Sequence, residues 1–169
     1  MREGCLFVCL AAAGLWDVRA GRIPNLWLGF WLIAGFGLFA CSGWLAAAGY
    51  LIRIAAIASI LFLFFLCRMM GAGDIKCMAL ICGYLGISSG VRAIGVGLVF
   101  GAAWSFIRLL RKGLMRERMG RLFAYVGQVF REKRILAYYV PDRDGKDVVL
   151  PLAACLFLGY GFSLLLKSA

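Results

Sequence analysis

The amino-acid sequence contains no histidine and very few acidic residues. Without an imidazole, Ser-His and Cys-His triads and zinc peptidases of the HExxH type are excluded. Between Glu3 and Glu117 the only acidic side chains are Asp17 and Asp74, in apolar, glycine-rich or basic surroundings. An acid inside an apolar membrane segment costs about 3 kcal/mol on insertion scales. We therefore interpret the two aspartates as a pair with a shared function.

CxxC pairs are also missing, although the chain has seven cysteines. An odd number of cysteines spread through apolar segments argues against a disulfide framework. Cys5 and Cys9 lie four residues apart and share a helical face. With no histidine nearby, the cysteines are interpreted as small buried apolar side chains.

Hydrophobic residues make up 64% of the 169 residues, and the mean hydropathy is +0.91. A soluble domain is usually about half apolar, so this composition predicts a multi-pass membrane protein. The length leaves room for one membrane-embedded domain, 1–169. The net charge of +11 fits basic loops that contact anionic lipid headgroups, and no nucleic-acid partner is expected.

The apolar runs predict an all-α bundle of about six transmembrane helices. One helix over 26–67 would be about 63 Å long, twice the thickness of the hydrocarbon core, so this run must be a hairpin. Its turn is expected at 41–43, and Arg53 in the second arm is expected to snorkel towards the headgroups. Gly97 and Gly101 are expected to pack against a neighbouring helix. The other runs are 4–16, 75–87 with a turn at 88–90, 91–110 and 148–166.

Basic residues fall mainly in every second loop between the predicted spans, that is, in loops on one side of the membrane. This distribution predicts that those loops are cytoplasmic and that both termini are outside. Two predicted spans separate Asp17 from Asp74. Because an even number of crossings returns the chain to the same side, both carboxylates are expected at the cytoplasmic face. The basic segment 108–134 carries apolar residues at helical spacing, which predicts an amphipathic helix on the cytoplasmic leaflet.

Each aspartate, taken alone, also has a purely structural interpretation. Asp17 could be a membrane-edge acid paired with Arg19 or Arg22. In the same segment Gly21 permits a tight turn, and Pro24 suits the first turn of the second span.

Asp74 could instead be the N-cap of a helix, with Gly71 and Gly73 supplying the turn before it. Lys76 weakens that interpretation, because a cation in the first turn opposes the helix dipole. It could equally anchor the cytoplasmic side. The pairing of Asp74 with Asp17 favours a functional role for both.

Segments 17–25 (Asp-x-x-x-x-Arg-Ile-Pro-Asn) and 71–76 (Gly-x-Gly-Asp-Ile-Lys) together resemble the type IV prepilin peptidase family of membrane aspartic peptidases. Segments 77–86 and 149–153 resemble the family as well, so the similarity covers essentially the whole chain. It implies that Asp17 and Asp74 are the catalytic pair. The other positions that match the family's motifs are Arg22, Pro24, Asn25, Gly71, Gly73 and Lys76.

The resemblance implies an endopeptidase that removes the basic leader of prepilin or pseudopilin precursors at the cytoplasmic face of the inner membrane. Larger, bifunctional members carry an additional N-terminal region with paired CxxC motifs and N-methylate the new terminus. This sequence begins at the first catalytic span and looks like the short form that serves Flp/Tad pili or archaeal preflagellins. Methyltransferase activity is therefore not expected.

Two neighbouring carboxylates cannot both ionise easily, so an aspartate pair holds one shared proton. The ionised partner activates a water, and the protonated partner donates to the scissile carbonyl. Because the two titrations are coupled, the sequence leaves open which aspartate has which role. Trp16 and Ile75 are expected to keep the site dry. This chemistry requires no metal or cofactor.

Other interpretations place the two acids in a small proton-coupled transporter or channel subunit, or in a presenilin-like protease that cuts within the bilayer. A purely structural membrane subunit would leave them without a function. The N-terminal run could also be read as a signal peptide. Segment 142–147 resembles a calcium loop only loosely and is interpreted as an Asp-Gly turn.

Overall fold

The computed structural model describes residues 2–66, 70–111 and 151–168, and all regular secondary structure in these ranges is helical. Contacts divide the chain into two compact units. The first unit comprises Met1–Gly101 and Pro151–Ala169, and the second comprises Ala102–Leu150. Of the predicted basic segment 108–134, residues 112–134 lie outside the described residues, as do segment 142–147, Cys67 and Arg68. The described helices are α1 (Arg2–Ala20), α2 (Asn25–Ala40), α3 (Trp44–Leu66), α4 (Ala72–Leu85), α5 (Ile87–Arg111) and α6 (Leu152–Ser168).

The predicted hairpin is confirmed, because α2 ends at Ala40 and α3 begins at Trp44. Gly43 turns the chain with a φ of 124°, a value that residues with a Cβ rarely adopt. Pro24, which is expected in the first turn of the second span, lies one residue before the first helical residue. Pro24 is the N-cap of α2, with φ −61° and ψ 126°, and Asn25 is the first helical residue. The Pro24 carbonyl accepts the first hydrogen bonds of the helix, from the backbone N–H groups of Trp27 and Leu28.

The predicted turn at 88–90 is wrong, because these residues belong to the first turn of α5. The chain turns instead at Gly86, which has a φ of 84° and terminates α4. Gly90 then lies against α4, where a Cβ atom would come within 2.7 Å of the Cα of Cys82. The positive φ and the close approach both require glycine, and the serines between them are exposed.

Helix α4 lies at the centre of the first unit and contacts α1, α2, α3 and α6. Almost every residue from Ile75 to Tyr84 is buried. Tyr84 donates from its hydroxyl to the carbonyl of Trp31 at 2.9 Å, and Tyr50 donates to that of Leu32 at 3.3 Å. A helix that is apolar all round belongs in a protein interior, and this one has that position.

Arg53 does not reach towards a headgroup, contrary to the expectation of snorkelling. Its Nε and Nη2 donate to the carbonyl of Gly83 at 3.3 and 3.1 Å. Gly83 belongs to the last turn of α4, where carbonyls have no intrahelical partner. Arg53 therefore satisfies a helix end inside the bundle, with its guanidinium 5.6 Å from the Phe39 ring centre.

Helices α1 and α6 pack antiparallel. Tyr160 donates from its hydroxyl to the carbonyl of Glu3 at 2.9 Å, and the rings of Phe7 and Phe157 meet edge to face at 5.0 Å. On the other side of α6, Gly159 approaches the backbone of Gly97. The expected packing role of Gly97 is thereby confirmed.

Among the described residues, two helices are long and apolar enough to cross a membrane, Trp44–Leu66 and Ile87–Arg108. Asn25–Ala40 and Leu152–Leu166 are shorter apolar helices. The count of six spans and the outside termini therefore remain predictions. Of the described cysteines, Cys9, Cys77, Cys82 and Cys155 are buried as interpreted, whereas Cys41 is exposed in the turn between α2 and α3.

Candidate active site

The two aspartates of the motifs lie at the same end of the first unit. Asp17 belongs to the last turn of α1 and Asp74 to the first turn of α4. The hairpin α2–α3 leads the chain away from this end and back again, which is what the even number of crossings required. We call it the carboxylate end; it also holds Asn25 at the start of α2 and Ala153 at the start of α6.

Asp17 is half-buried and is held by its main chain as well as by its carboxylate. Gly21, with a φ of 60°, donates its N–H to the carbonyl of Asp17 at 2.9 Å and ends α1 as a left-handed glycine. The carboxylate Oδ2 of Asp17 accepts a hydrogen bond from the backbone N–H of Ala153 at 2.9 Å. Arg19 and Arg22 are exposed, and in the described part of the chain neither pairs with Asp17. The membrane-edge interpretation therefore gains no support.

Asp74 is not an N-cap, so that structural interpretation is wrong. The N-cap of α4 is Gly71, in an extended conformation, and Asp74 is the third helical residue. The backbone N–H of Gly71 donates a hydrogen bond to the Asp74 carboxylate. Acidic side chains at the third helical position commonly accept such a bond from the N-cap residue. A Cβ atom at position 71 would lie 3.1 Å from Asp74 Oδ2, so glycine leaves room for the carboxylate.

Both carboxyl groups flank the apolar runs 4–16 and 75–87 rather than interrupting them. Burial raises the pKa of Asp74, the negative charge of Asp17 raises it further, and the Gly71 hydrogen bond lowers it, leaving a pKa of about 6. Burial also raises the pKa of Asp17, and the hydrogen bond from Ala153 opposes that rise. The charge of Asp17 therefore acts on Asp74, as expected for two neighbouring carboxyl groups.

The remaining motif residues connect the start of α2 with the start of α4. Lys76 donates from Nζ to Oδ1 of Asn25 at 2.8 Å. A Cβ atom at Gly73 would touch Ile23 Cδ1 at 3.4 Å, so the turn after α1 packs directly on the first turn of α4. Arg22 is exposed beside these contacts. One polar clamp and one apolar contact therefore fix the two aspartate-bearing segments together.

The apolar wall next to the pair agrees only in part with expectation. Ile75 is 7% exposed, whereas Trp16 is 38% exposed. Trp16 meets Trp27 edge to face at 5.1 Å, and Trp27 donates from Nε1 to the carbonyl of Cys9 at 3.2 Å. Beside the pair, Ile75 of α4 is therefore shielded from solvent, whereas the side chains of Trp16 and Trp27 are partly exposed.

The sequence interpretation gave Ala153 no role in the site. Its contribution is a backbone N–H, which every residue except proline has, so no side chain marks it. The only usable signal was Pro151, since proline commonly precedes or opens a helix whose first N–H groups are unpaired.

Two large grooves in the described part of the chain lie away from the site. Two grooves of about 850 and 960 Å³ lie between α1, α5 and α6 at the opposite end, near Glu3 and Phe162. Their walls are mostly apolar, and neither contains an aspartate of the pair. Asp17 and Asp74 lie at the carboxylate end, and both are partly exposed.

Two comparisons, with curated proteins and with solved structures, found no match to this chain. A scan against protein-family models matched residues 5–115 to the type IV leader peptidase family. The matched region includes both aspartates and their flanking motifs, and it ends before α6. The chain therefore belongs to the type IV leader peptidase family, and it is a peptidase.

Proposed function

We propose that the protein is an aspartic endopeptidase that cleaves the basic leader from prepilin or pseudopilin precursors at the cytoplasmic face of the inner membrane. The observation that carries the proposal is the electrostatic pairing of Asp17 and Asp74. They are 57 positions apart in sequence, yet the charge of one raises the pKa of the other. Family membership supplies the reaction class, and this pair supplies the chemistry.

In the proposed reaction the pair holds one proton. The ionised carboxylate takes a proton from a water as that water attacks the scissile carbonyl, and the protonated carboxyl donates to the carbonyl oxygen. The tetrahedral intermediate then collapses: one of its hydroxyl groups returns a proton to the ionised carboxylate, the C–N bond breaks, and the departing amine takes up the proton of the other carboxyl group, so that the pair again holds one proton. Acid–base catalysis of this kind supplies roughly 10²- to 10⁴-fold in rate.

The proposed topology follows from the alternation of the helices. If all six helices cross the membrane, the carboxylate end faces the cytoplasm and both termini lie outside. The exposed side chains of Arg19, Arg22 and Lys76 lie near the pair, where they can contact anionic headgroups. A membrane-anchored precursor with its leader on the cytoplasmic side would then present the cleavage site to the pair. Methyl transfer is not part of this proposal.

Substitution of the carboxylates tests the proposal directly. Asp17→Asn and Asp74→Asn are each expected to lower cleavage of a synthetic prepilin by about 10²- to 10⁴-fold, because each removes half of the proton relay. The probe has a basic leader, a glycine and an apolar helix, and product is measured by mass spectrometry in detergent micelles.

Glu3→Gln is the matched control, since it removes an acid from the opposite end of α1. It is expected to cleave at the wild-type rate. Full cleavage by either aspartate variant would show that the pair is not the catalytic centre. Cleavage within the apolar helix of the probe, rather than after the leader, would favour a presenilin-like reaction.

A further inference from the structure

We propose that the N-terminal turn of α6 is a positioning element of the active site: the Ala153 N–H holds Asp17 as the ionised member of the pair, and Asp74 carries the shared proton. This inference rests on the proposed function. It assigns a role to a helix outside the region matched by the family model, and it separates the roles of two otherwise equivalent carboxyl groups.

The first step is the hydrogen bond itself. Ala153 is the second residue of α6, and its N–H lies 2.9 Å from Asp17 Oδ2. The first N–H groups of a helix have no intrahelical acceptor, and the i→i−4 series of α6 begins with Cys155, which donates to Pro151 at 3.3 Å. The Ala153 N–H is therefore free to bind an acceptor from another helix. A carboxylate placed there also meets the positive end of the helix dipole.

The second step is that α6 is fixed in position against α1. A Cβ atom at Gly14 would lie only 3.1 Å from the Cα of Ala154, so the two backbones are in close contact one turn before Asp17. The contacts of Phe7 with Phe157 and of Tyr160 with Glu3 continue this interface to the N-terminal end of α1 and the middle of α6. The Ala153 N–H is therefore presented to Asp17 in advance, without reorganisation during the reaction.

The third step is the difference between the two carboxyl groups. Asp74 stands at the start of the buried helix α4, beside Ile75, and its hydrogen bond from Gly71 comes from its own helix turn. Burial and the charge of Asp17 raise the pKa of Asp74, and the Gly71 hydrogen bond lowers it, leaving about 6. Burial raises the pKa of Asp17, and the hydrogen bond from the Ala153 amide opposes that rise. Because the partner's charge adds to burial at Asp74, the proposal assigns the shared proton to Asp74 and makes Asp17 the base that activates water.

Removal of the Ala153 N–H tests the role of α6. Ala153→Pro deletes that donor at a position in the first turn where proline costs no intrahelical hydrogen bond. The variant is expected to show a kcat about tenfold lower, with KM unchanged within twofold. The acidic limb of its pH–rate profile should move upward by about one pH unit, because Asp17 loses a donor that favours its charged form.

Two controls separate this effect from disturbance of the helix. Leu152→Pro introduces the same residue one position earlier and leaves the Ala153 N–H, and Ala153→Gly changes the same residue but keeps its N–H. Both are expected to retain the wild-type acidic limb. The other described groups near this end that carry charge or titrate are unchanged in all three variants: Asp74, Lys76, Arg19, Arg22, Cys77 and Cys155.

The inference is overturned if the profile of Ala153→Pro superimposes on that of the wild type, or if kcat falls equally at every pH. It is also overturned if Leu152→Pro moves the acidic limb as far as Ala153→Pro. Failure of the proposed function is a distinct result, since the wild-type protein would then leave the prepilin probe uncut at every pH.

Discussion

At Gly159 the backbone of α6 comes close to that of α5, and substitution there should separate the two helices. A Cβ atom at this position would lie 2.5 Å from the Cα of Gly97 and 2.8 Å from the carbonyl oxygen of Ala93. Ordinary carbon–carbon contacts are about 3.5–4.0 Å, so the helices must move apart by roughly 1 Å. All the obstructing atoms belong to the backbone, so no side chain can rotate away.

The expected cost of Gly159→Ala is an overpacking penalty of about 1–3 kcal/mol. Alanine is also a better helix former than glycine by about 1 kcal/mol, which would mask part of this penalty if the variant were compared with the wild type alone. Gly161→Ala on the same helix removes that ambiguity, because a Cβ atom there has nothing within 4 Å. The propensity gain is common to both variants, so their difference reports the helix contact.

The measurement is the midpoint of thermal unfolding of both variants in the same detergent and at the same scan rate. For a chain of this length, about 1 kcal/mol corresponds to roughly 2–4 °C, so Gly159→Ala should unfold about 2–12 °C below Gly161→Ala. Equal midpoints would refute the close backbone contact between α5 and α6.

Two further predictions concern the carboxylate end. The pKa of Asp74 in the folded protein is about 6, against about 3.9 in an unfolded chain. The folded state therefore loses stability as pH rises from about 4 to 6. Asp74→Asn should accordingly melt above the wild type at pH 8 and match it at pH 4, and a gain that is equal at both pH values would contradict the raised pKa. For the Lys76–Asn25 bond, a double-mutant cycle of Lys76→Met and Asn25→Ala should give a coupling of about 0.5–1.5 kcal/mol in chemical denaturation. Strict additivity of the two substitutions would show that the clamp does not contribute.

Much of the site could be predicted because it depends on residue types that are recognisable in the sequence. Two isolated acids in an apolar chain are conspicuous, and the parity of the spans between them depends only on counting apolar runs. The hairpin turn and the helix end at Gly21 were also predictable, since glycine marks places where the backbone needs a positive φ. The turn at Gly86 was misplaced because the serines and the glycine just after it give the same local signal.

The sequence by itself determined that the chain is apolar and helical, that only two acids lie between Glu3 and Glu117, and that both of these acids belong to one end of the bundle. These properties depend on composition and on the order of elements along the chain. Only the tertiary structure decided that Arg53 binds a carbonyl of α4 and that the first turn of α6 meets Asp17. Such contacts join residues far apart in sequence, and in the second case the donor is a backbone N–H that has no side-chain signature. Its position depends on how α6 packs against α1, which the close approach of Gly14 to Ala154 fixes only when the helices are assembled.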